Sequence, residues 1–502
     1  MSESENLYAR FREQFQMENR ALVCEGDVFT YNDVDKITGT VASTLTDFGL
    51  TKGDLVSVIG GKSLNFLWLY LGCLRVGCIF HPLNPAYTPS EIQFFLRDAK
   101  PKLIVSSQEL RSKFDGVDRK KNTEILPLDG RDGDRLFRPR SEHYRSFETV
   151  KVRGDDTAAL LYSSGTTGDP KGIRLTHGNL FSNASTLKDL WEFDSSDTVL
   201  HVLPVFHVHG LFILLGPSLL SGCQIKYALA FDVKEVIAEL ADSTVMAGVP
   251  TYYSRLLADP TFSANCCRSV RVFISGSAPL SEKLFSRFKA RTGKSVLERY
   301  GMTETGVNTS NPINGNRIAG SVGQVLPGVK LRISSINKAD GGANRIGSIE
   351  VKGENVFPEY WNLPEKTSEA FTKDGWFITG DQGYLDDDEY LYISGRSKDM
   401  IISGGLNVYP KEVEKEIEQD NLVLEVAVFG VEHSDFGEAV VAAVVTTNEK
   451  ELCRETLLDT LSDKLAKYKL PKAIVTLDEL PRNAMGKIQK TELRKKYKDL
   501  FL

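Results

Sequence analysis

Little in this chain is suited to crosslinking or to holding a structural metal. Seven cysteines (24, 73, 78, 223, 266, 267 and 453) are scattered through 502 residues, an odd number with no CxxC pair and no Cys/His cluster. Neither a disulfide scaffold nor a zinc site is expected, and the thiols read as reduced. Long hydrophobic runs are also missing. The longest, Phe66 to Phe80, is broken by Gly72, Arg75 and Gly77 and is too short to span a bilayer. Strong charge of one sign is absent as well: 61 Lys and Arg against 67 Asp and Glu give −6, too mild and of the wrong sign for a dedicated nucleic-acid binder. There is no fixed-period repeat and no low-complexity tract. The opening MSESENLYARF is acidic and unlike a secretory signal or transit peptide, and the final Leu-Phe-Leu is not a peroxisomal address. A soluble, cytoplasmic protein of enzyme size is expected, with neither a nucleic-acid partner nor a membrane span.

What is present is a globular composition, 41% hydrophobic and 25% charged, which excludes wholesale disorder. The length exceeds what one core serves, so two or more domains are expected. Apolar strand-like runs (Asp54 to Gly60, Lys102 to Ser106, Thr157 to Tyr162, Thr244 to Gly248, Val270 to Ser275) alternate with helical patterns such as Leu64 to Val76 and Pro89 to Ala99, through about residue 390. That alternation predicts layered α/β structure with a largely parallel sheet. Near residue 395 the glycine-containing segment Ser394 to Asp399 precedes a tail of about a hundred residues. Helices are predicted there at Pro410 to Glu418 and Glu451 to Ala466, with strands at Glu425 to Phe429 and Ala439 to Thr446, a small α+β domain on a short hinge. From Asp463 to Leu502 eleven basic residues face five acidic ones. This run reads either as a solvated face or as a cationic flap for an anionic ligand.

The strongest local signal is the run from Ser163 to Gly172: Ser163, Ser164, Gly165, Thr166, Thr167, Gly168, Asp169, Pro170, Lys171, Gly172. Glycines let backbone N–H groups approach an anion, hydroxyls add donors and lysine adds a point charge, together suiting a polyphosphate. It is not a Walker A loop, because Lys171 is followed by Gly and preceded by Pro. The residues that follow, Gly172 to Leu175, look extended rather than helical.

This loop resembles the phosphate loop of the acyl- and aryl-adenylate-forming enzymes. Further segments match that superfamily in its order: Glu298-Arg-Tyr-Gly-Met-Thr-Glu-Thr305, Gly375-Trp-Phe-Ile-Thr-Gly-Asp381, Gly395-Arg396-Ser-Lys398 and Pro481-Arg-Asn-Ala-Met-Gly-Lys487. The resemblance covers nearly the whole chain. It implies a large AMP-binding domain over residues 1–395, a hinge at 396–398 pivoting on Lys398, and a small mobile domain over 399–502. It also implies ATP and CoA as co-substrates and Mg²⁺ as cofactor. By the same resemblance Lys487, Thr303 and Glu304 are catalytic, and Glu304 is the Mg²⁺ ligand. Ser163 to Gly168 and Lys171 hold the ATP phosphates. Gly276, Ser277, Ala278, Pro279, Tyr300, Gly301, Met302, Asp381 and Arg396 hold adenine and ribose, while Gly404 and Gly405 open the CoA channel. Asp169, an acid beside phosphates, is the one departure and is expected to face solvent.

The stretches His201 to Gly210, Val249 to Arg255 and Tyr300 to Pro312 resemble malonyl-CoA synthetases more narrowly. A dicarboxylate needs a fixed cation for its unreacted end, and arginine suits that task. The resemblance implies Arg255 as that clamp, with His207, Ser277 and Met302 lining the pocket; Arg271 and Arg299 are rival clamps. Malonate is the expected acid, with methylmalonate as a second candidate. The alternatives are a ligase for another short, medium or aromatic acid, a luciferase-like oxygenase and a non-catalytic adenylate-binding protein.

Overall fold

Buried strands alternating with capped helices produce two large sheets. The computed structural model describes residues 5–114, 123–129, 134–137, 144–163, 170–334, 346–404, 406–433, 436–447, 453–483 and 486–501. In the six-stranded sheet the spatial order is Glu124–Pro127, Leu103–Ser106, Leu55–Ile59, Ile79–Leu83, Thr157–Ser163 and Lys171–Thr176. All neighbours are parallel except the last pair. Leu55–Ile59, Ile79–Leu83 and Leu103–Ser106 are buried throughout, as strands covered on both faces must be. Helix Leu64–Val76 is capped by Ser63, and helix Pro89–Ala99 by a reciprocal Thr88–Glu91 box with Pro89 in its first turn.

The second sheet has nine strands, ordered Gln324–Val325, Gly306–Ser310, Leu297–Met302, Val272–Ser275, Val245–Gly248, Thr198–His201, Gln224–Tyr227, Arg20–Cys24 and Asp27–Thr30. The six central strands are parallel and the edges antiparallel. Both sheets bear out the layered α/β expectation.

Strand Thr157–Ser163 leads into a second strand, as the extended reading of Gly172 to Leu175 has it. One local expectation fails. The segment up to residue 396 does not keep alternating: Val329–Ser334, Gly347–Gly353, Phe377–Leu385 and Leu391–Arg396 form a four-stranded antiparallel sheet. Its strand Phe377–Leu385 alternates between buried and more accessible positions, the signature of a sheet covered on one face.

From residue 401 on, the chain builds its own sheet. Val423–His433 and Gly437–Thr446 pair at its centre, Ile401–Ser403 and Leu406–Val408 extend one side, and Ala473–Thr476 lies parallel to Gly437–Thr446. Helices Pro410–Ile417, Arg454–Ser462 and Lys490–Lys496 pack on it. Two hydrophobic clusters, one around Val428 and Ile474 and one around Phe429 and Leu493, draw only on residues beyond 400, so this C-terminal unit has its own core. Much of its basic tail is spent internally, as Lys464–Glu416, Lys469–Glu412, Arg482–Glu425, Lys490–Glu414 and Arg494–Asp399 ion pairs.

Arg271 is a brace of the nine-stranded sheet. Its guanidinium grips the buried Asp197 carboxylate at 2.8 and 2.7 Å and donates to the Trp191 and Glu192 carbonyls. Thr244 Oγ1 donates to the same carboxylate at 2.5 Å. Arg271→Met would strand that buried anion and is expected to destabilise the fold by about 3–5 kcal/mol. Denaturant unfolding would read the loss. An unchanged midpoint would show that the brace carries no stability.

Candidate functional site

The strands on either side of the expected phosphate loop, Thr157–Ser163 and Lys171–Thr176, pair antiparallel. Ser163 pairs with Lys171 and Tyr162 with Gly172 across the antiparallel strands, in line with the extended reading of Gly172 to Leu175. Ser164, Gly165, Thr166, Thr167, Gly168 and Asp169 lie outside the described residues. The return strand is stitched to residues 359–361: Trp361 N–H donates to Gly172 O at 2.7 Å, and Arg174 Nε pairs with Glu359 at 3.1 Å. That places Lys171 Nζ 4.9 Å over the Tyr360 ring. Tyr360 Oη donates in turn to the buried Glu304 carboxylate at 3.3 Å. The end of the loop and Glu304 thus share one tyrosine.

Glu304 sits in the turn between strands Leu297–Met302 and Gly306–Ser310, which run so close that a Cβ on Gly301 would stand 1.8 Å from the Gly306 carbonyl. Burial pushes its carboxyl above the ordinary range and Arg396 draws it back. Mg²⁺ sites in nucleotide enzymes combine one or two carboxylates with phosphate oxygens and water. A buried acid with a single long side-chain hydrogen bond, beside the phosphate loop, fits that donor set. No group of three or more His, Cys, Asp or Glu suited to a metal exists among the described residues, so the remaining ligands would be phosphate and water. Thr303 is half-buried beside it.

Asp381, on strand Phe377–Leu385, gathers the next set. Tyr300 Oη donates to its Oδ2 at 2.6 Å, and Arg396 Nε pairs with its Oδ1 at 3.1 Å. Burial pushes the Tyr300 phenol well up, keeping it a donor. A carboxylate has about four acceptor positions, so two remain for ribose hydroxyls.

Lys487 approaches this group from the C-terminal unit. Its loop is closed by Lys487 N–H to Asn483 Oδ1 at 3.0 Å and Arg482 to Gly486 O at 2.5 Å. Gly486, at φ +72°, rests on the first turn of helix Pro250–Ala258, where a Cβ would meet Thr251 Oγ1 at 2.9 Å. Burial first, and Arg396 next, hold the Lys487 ammonium down to about 8 against the pull of Asp381. No carboxylate lies within 4.0 Å of it among the described residues. Lys398 lies exposed in the turn after Arg396. Gly404, at the end of strand Ile401–Ser403, donates to Phe436 O at 2.8 Å and is not brought to this cluster; Gly405 lies outside the described residues.

The acyl end differs most from expectation. Gly276, Ser277 and Ala278 follow strand Val272–Ser275 at its carboxyl end, where α/β sheets hold ligands, and Pro279 is exposed. Ser277 adopts a left-handed φ of +69° and its Oγ lies 3.0 Å from His209 Nδ1. Arg255 is exposed on its helix. Arg271 is consumed by Asp197. Arg299, by contrast, is buried against Gly276, where a Cβ would lie 2.4 Å from its Cζ. Its Nε and Nη2 have no partner among the described residues, nor have His207 Nε2 and His209 Nε2. Burial lowers the Arg299 guanidinium to about 10, still cationic at neutral pH, and holds His207 down to about 4 and His209 well below the usual imidazole range. The result is a buried cluster of one guanidinium and two neutral imidazoles, with Met302 at the boundary of the apolar core. The sequence reading passed over His209 and Tyr360. The signal for Arg299 was legible, as a charged pair (Glu298-Arg299) inside an apolar strand.

His207 and His209 flank the start of a π-helical turn, His209–Leu214, a feature concentrated at functional sites. It is tied back through His201, whose Nε2–H donates to Gly210 O at 2.9 Å while its Nδ1 receives Lys62 Nζ at 2.8 Å.

Comparison with known proteins agrees with this geometry. Residues 9–361 match the AMP-binding enzyme family and residues 412–487 the AMP-binding enzyme C-terminal domain. A malonate–CoA ligase of Arabidopsis thaliana is 35% identical over 89% of this chain and 79% of its own. The long-chain-fatty-acid–CoA ligase FadD13 of Mycobacterium tuberculosis is 33% identical over 93% of each. ATP-bound MatB from Rhodopseudomonas palustris is 42% identical and superposes over the full length of both chains with a TM-score of 0.94; for its apo form the score is 0.83. The arrangement described here is therefore nearer to the ATP-bound one. No helix is long and apolar enough to cross a membrane among the described residues. The chain belongs to the AMP-binding enzymes and is an acyl-CoA ligase of that family.

Proposed function

We propose that this chain activates malonate with ATP and transfers it to CoA, with methylmalonate as a second acid. One malonate carboxylate attacks the α-phosphorus of ATP, forming the P–O bond of malonyl-adenylate and expelling pyrophosphate. The CoA thiol then attacks the acyl carbon, gives up its proton and releases AMP. The observation that carries the choice of acid is Arg299, a buried guanidinium with no carboxylate beside it among the described residues, clustered with two neutral imidazoles. An alkyl chain there would leave all three polar groups dry, whereas a second carboxylate would satisfy the guanidinium bidentately. We therefore assign the clamp to Arg299 in preference to Arg255. The names of the malonate–CoA ligase relatives support the same acid; the fatty-acid ligase among the relatives supports only the chemistry.

The roles follow from position. Asp381 would accept the ribose hydroxyls, and Arg396 and Lys171 would face phosphate oxygens. Mg²⁺, held by Glu304, would neutralise phosphate charge. Lys487 would lie between the reacting carboxylate and the α-phosphate, stabilising charge on both as they meet. The division into residues 1–395, a hinge at 396–398 and a mobile 399–502 is part of the proposal, supported by the separate C-terminal core. In a second orientation Gly404 and Gly405 would face the CoA arm. Seven unpaired cysteines suit a reducing compartment, and we propose the cytoplasm.

Two measurements test this. Malonate-dependent ATP–pyrophosphate exchange should lose about a hundredfold in kcat/KM for malonate in Arg299→Met, the scale of removing one partner from a buried charge pair, with the KM for ATP within about twofold. Arg255→Ala should lose far less. The reverse ranking would return the clamp to Arg255, and a preference for octanoate over malonate would end the malonate reading. The second test is pH. The ammonium of Lys487 exists below about 8 and is lost above it. The kcat/KM for exchange should therefore fall on the alkaline side, and Lys487→Arg should move that limb to higher pH. A limb that stays in place in Lys487→Arg would show that another group sets it.

A further inference from the structure

Lys62 follows strand Leu55–Ile59 and precedes helix Leu64–Val76, at the carboxyl end of the six-stranded sheet, yet its ammonium is spent on the nine-stranded one. Nζ donates to His201 O at 2.7 Å and to His201 Nδ1 at 2.8 Å, and it stands 4.3 Å from the centre of the Tyr227 ring. His201 ends strand Thr198–His201, and Tyr227 ends its neighbour Gln224–Tyr227. No carboxylate pairs with Lys62 among the described residues. An apolar side chain could join the two sheets without taking a charge out of water, so the donors need a reason of their own.

The reason lies in what the lysine does to His201. That ring is fully buried, and burial with Lys62 beside it holds the imidazole well below its ordinary range, so it is neutral. Its Nε2 lies 2.9 Å from Gly210 O. A carbonyl can only accept, so Nε2 carries the ring's one proton and Nδ1 is left as an acceptor, the state that receives Lys62. The lysine thus fixes the tautomer that closes residues 201–210 into a loop. Closure leaves no slack at Gly210, where a Cβ would stand 2.2 Å from Pro204 O. Two side chains of the loop, His207 and His209, have a buried Nε2 with no partner among the described residues. His209 Nδ1 lies 3.0 Å from Ser277 Oγ, next to Gly276, against which Arg299 packs. Direct contacts therefore run from Lys62 through His201, the loop and Ser277 to the unpaired guanidinium.

We infer that Lys62 is a positioning residue for the acid. Through His201 it sets the shape of the 201–210 loop, and with it how His207 and His209 meet the short dicarboxylate held by Arg299. The residues assigned to ATP lie on other segments, so the effect falls on binding of the acid and leaves the nucleotide alone. The inference rests on the malonate reading above.

The test is malonate-dependent ATP–pyrophosphate exchange by the full-length enzyme. Lys62→Met keeps most of the side chain's length and removes its donors. It should raise the KM for malonate about tenfold, the scale of one lost buried hydrogen bond, with kcat and the KM for ATP within about twofold. Loss of a merely structural support would instead lower kcat and move both KM values together. His201→Gln puts an amide N–H where Nε2–H reaches Gly210 and should keep the malonate KM within about threefold. His201→Asn, too short for Gly210, should raise it about tenfold. Lys62→Met combined with His201→Asn should be no worse than either alone. An unchanged malonate KM in Lys62→Met, a parallel rise in the KM for ATP, equal effects of the Gln and Asn exchanges, or single effects that multiply in the double variant would overturn the inference. If Lys62→Met does not fold, the two His201 variants decide by the same criterion. Absence of malonate-dependent exchange in the unmodified enzyme would instead overturn the malonate reading.

Discussion

A guanidinium held out of water with no carboxylate beside it is costly, and a fold keeps one only where something arrives to complete it. Arg299 is that group, and much of the architecture arranges its isolation. Strand Leu297–Met302 puts it inside the sheet, Gly276 makes room for its plane, and Tyr253 and the two histidines wall it without offering an anion. The same logic extends along the cleft. Among the described residues, Lys487 has no carboxylate in contact, and Glu304 is buried with no cation in contact. A protein that has left its charges uncompensated in this way is complementary to a set of small ions rather than to a neutral ligand.

Those charges come from different structural bodies, which explains why the site needs three sheets and a separate C-terminal unit. The six-stranded sheet supplies Lys171, the nine-stranded sheet Arg299 and Glu304, and the antiparallel sheet Asp381 and Arg396. Tyr360 and Tyr300 are the joints: one links Lys171 to Glu304, the other joins strand Leu297–Met302 to Asp381.

The sequence was most informative where one physical pattern decided the outcome. Parallel strands such as Leu55–Ile59 and helices such as Leu64–Val76 could be read from apolar runs, and the strand after Pro170 from its extended pattern. The antiparallel sheet at 329–396 was obscured because its strands are half-exposed and carry charges such as Arg332 and Lys352, which dilute the apolar signal. The choice between Arg255, Arg271 and Arg299 lay beyond sequence reasoning for a different reason. Each is an arginine near a strand or helix end, and only three-dimensional packing reveals that one is exposed, one is paired to Asp197 and one is buried alone.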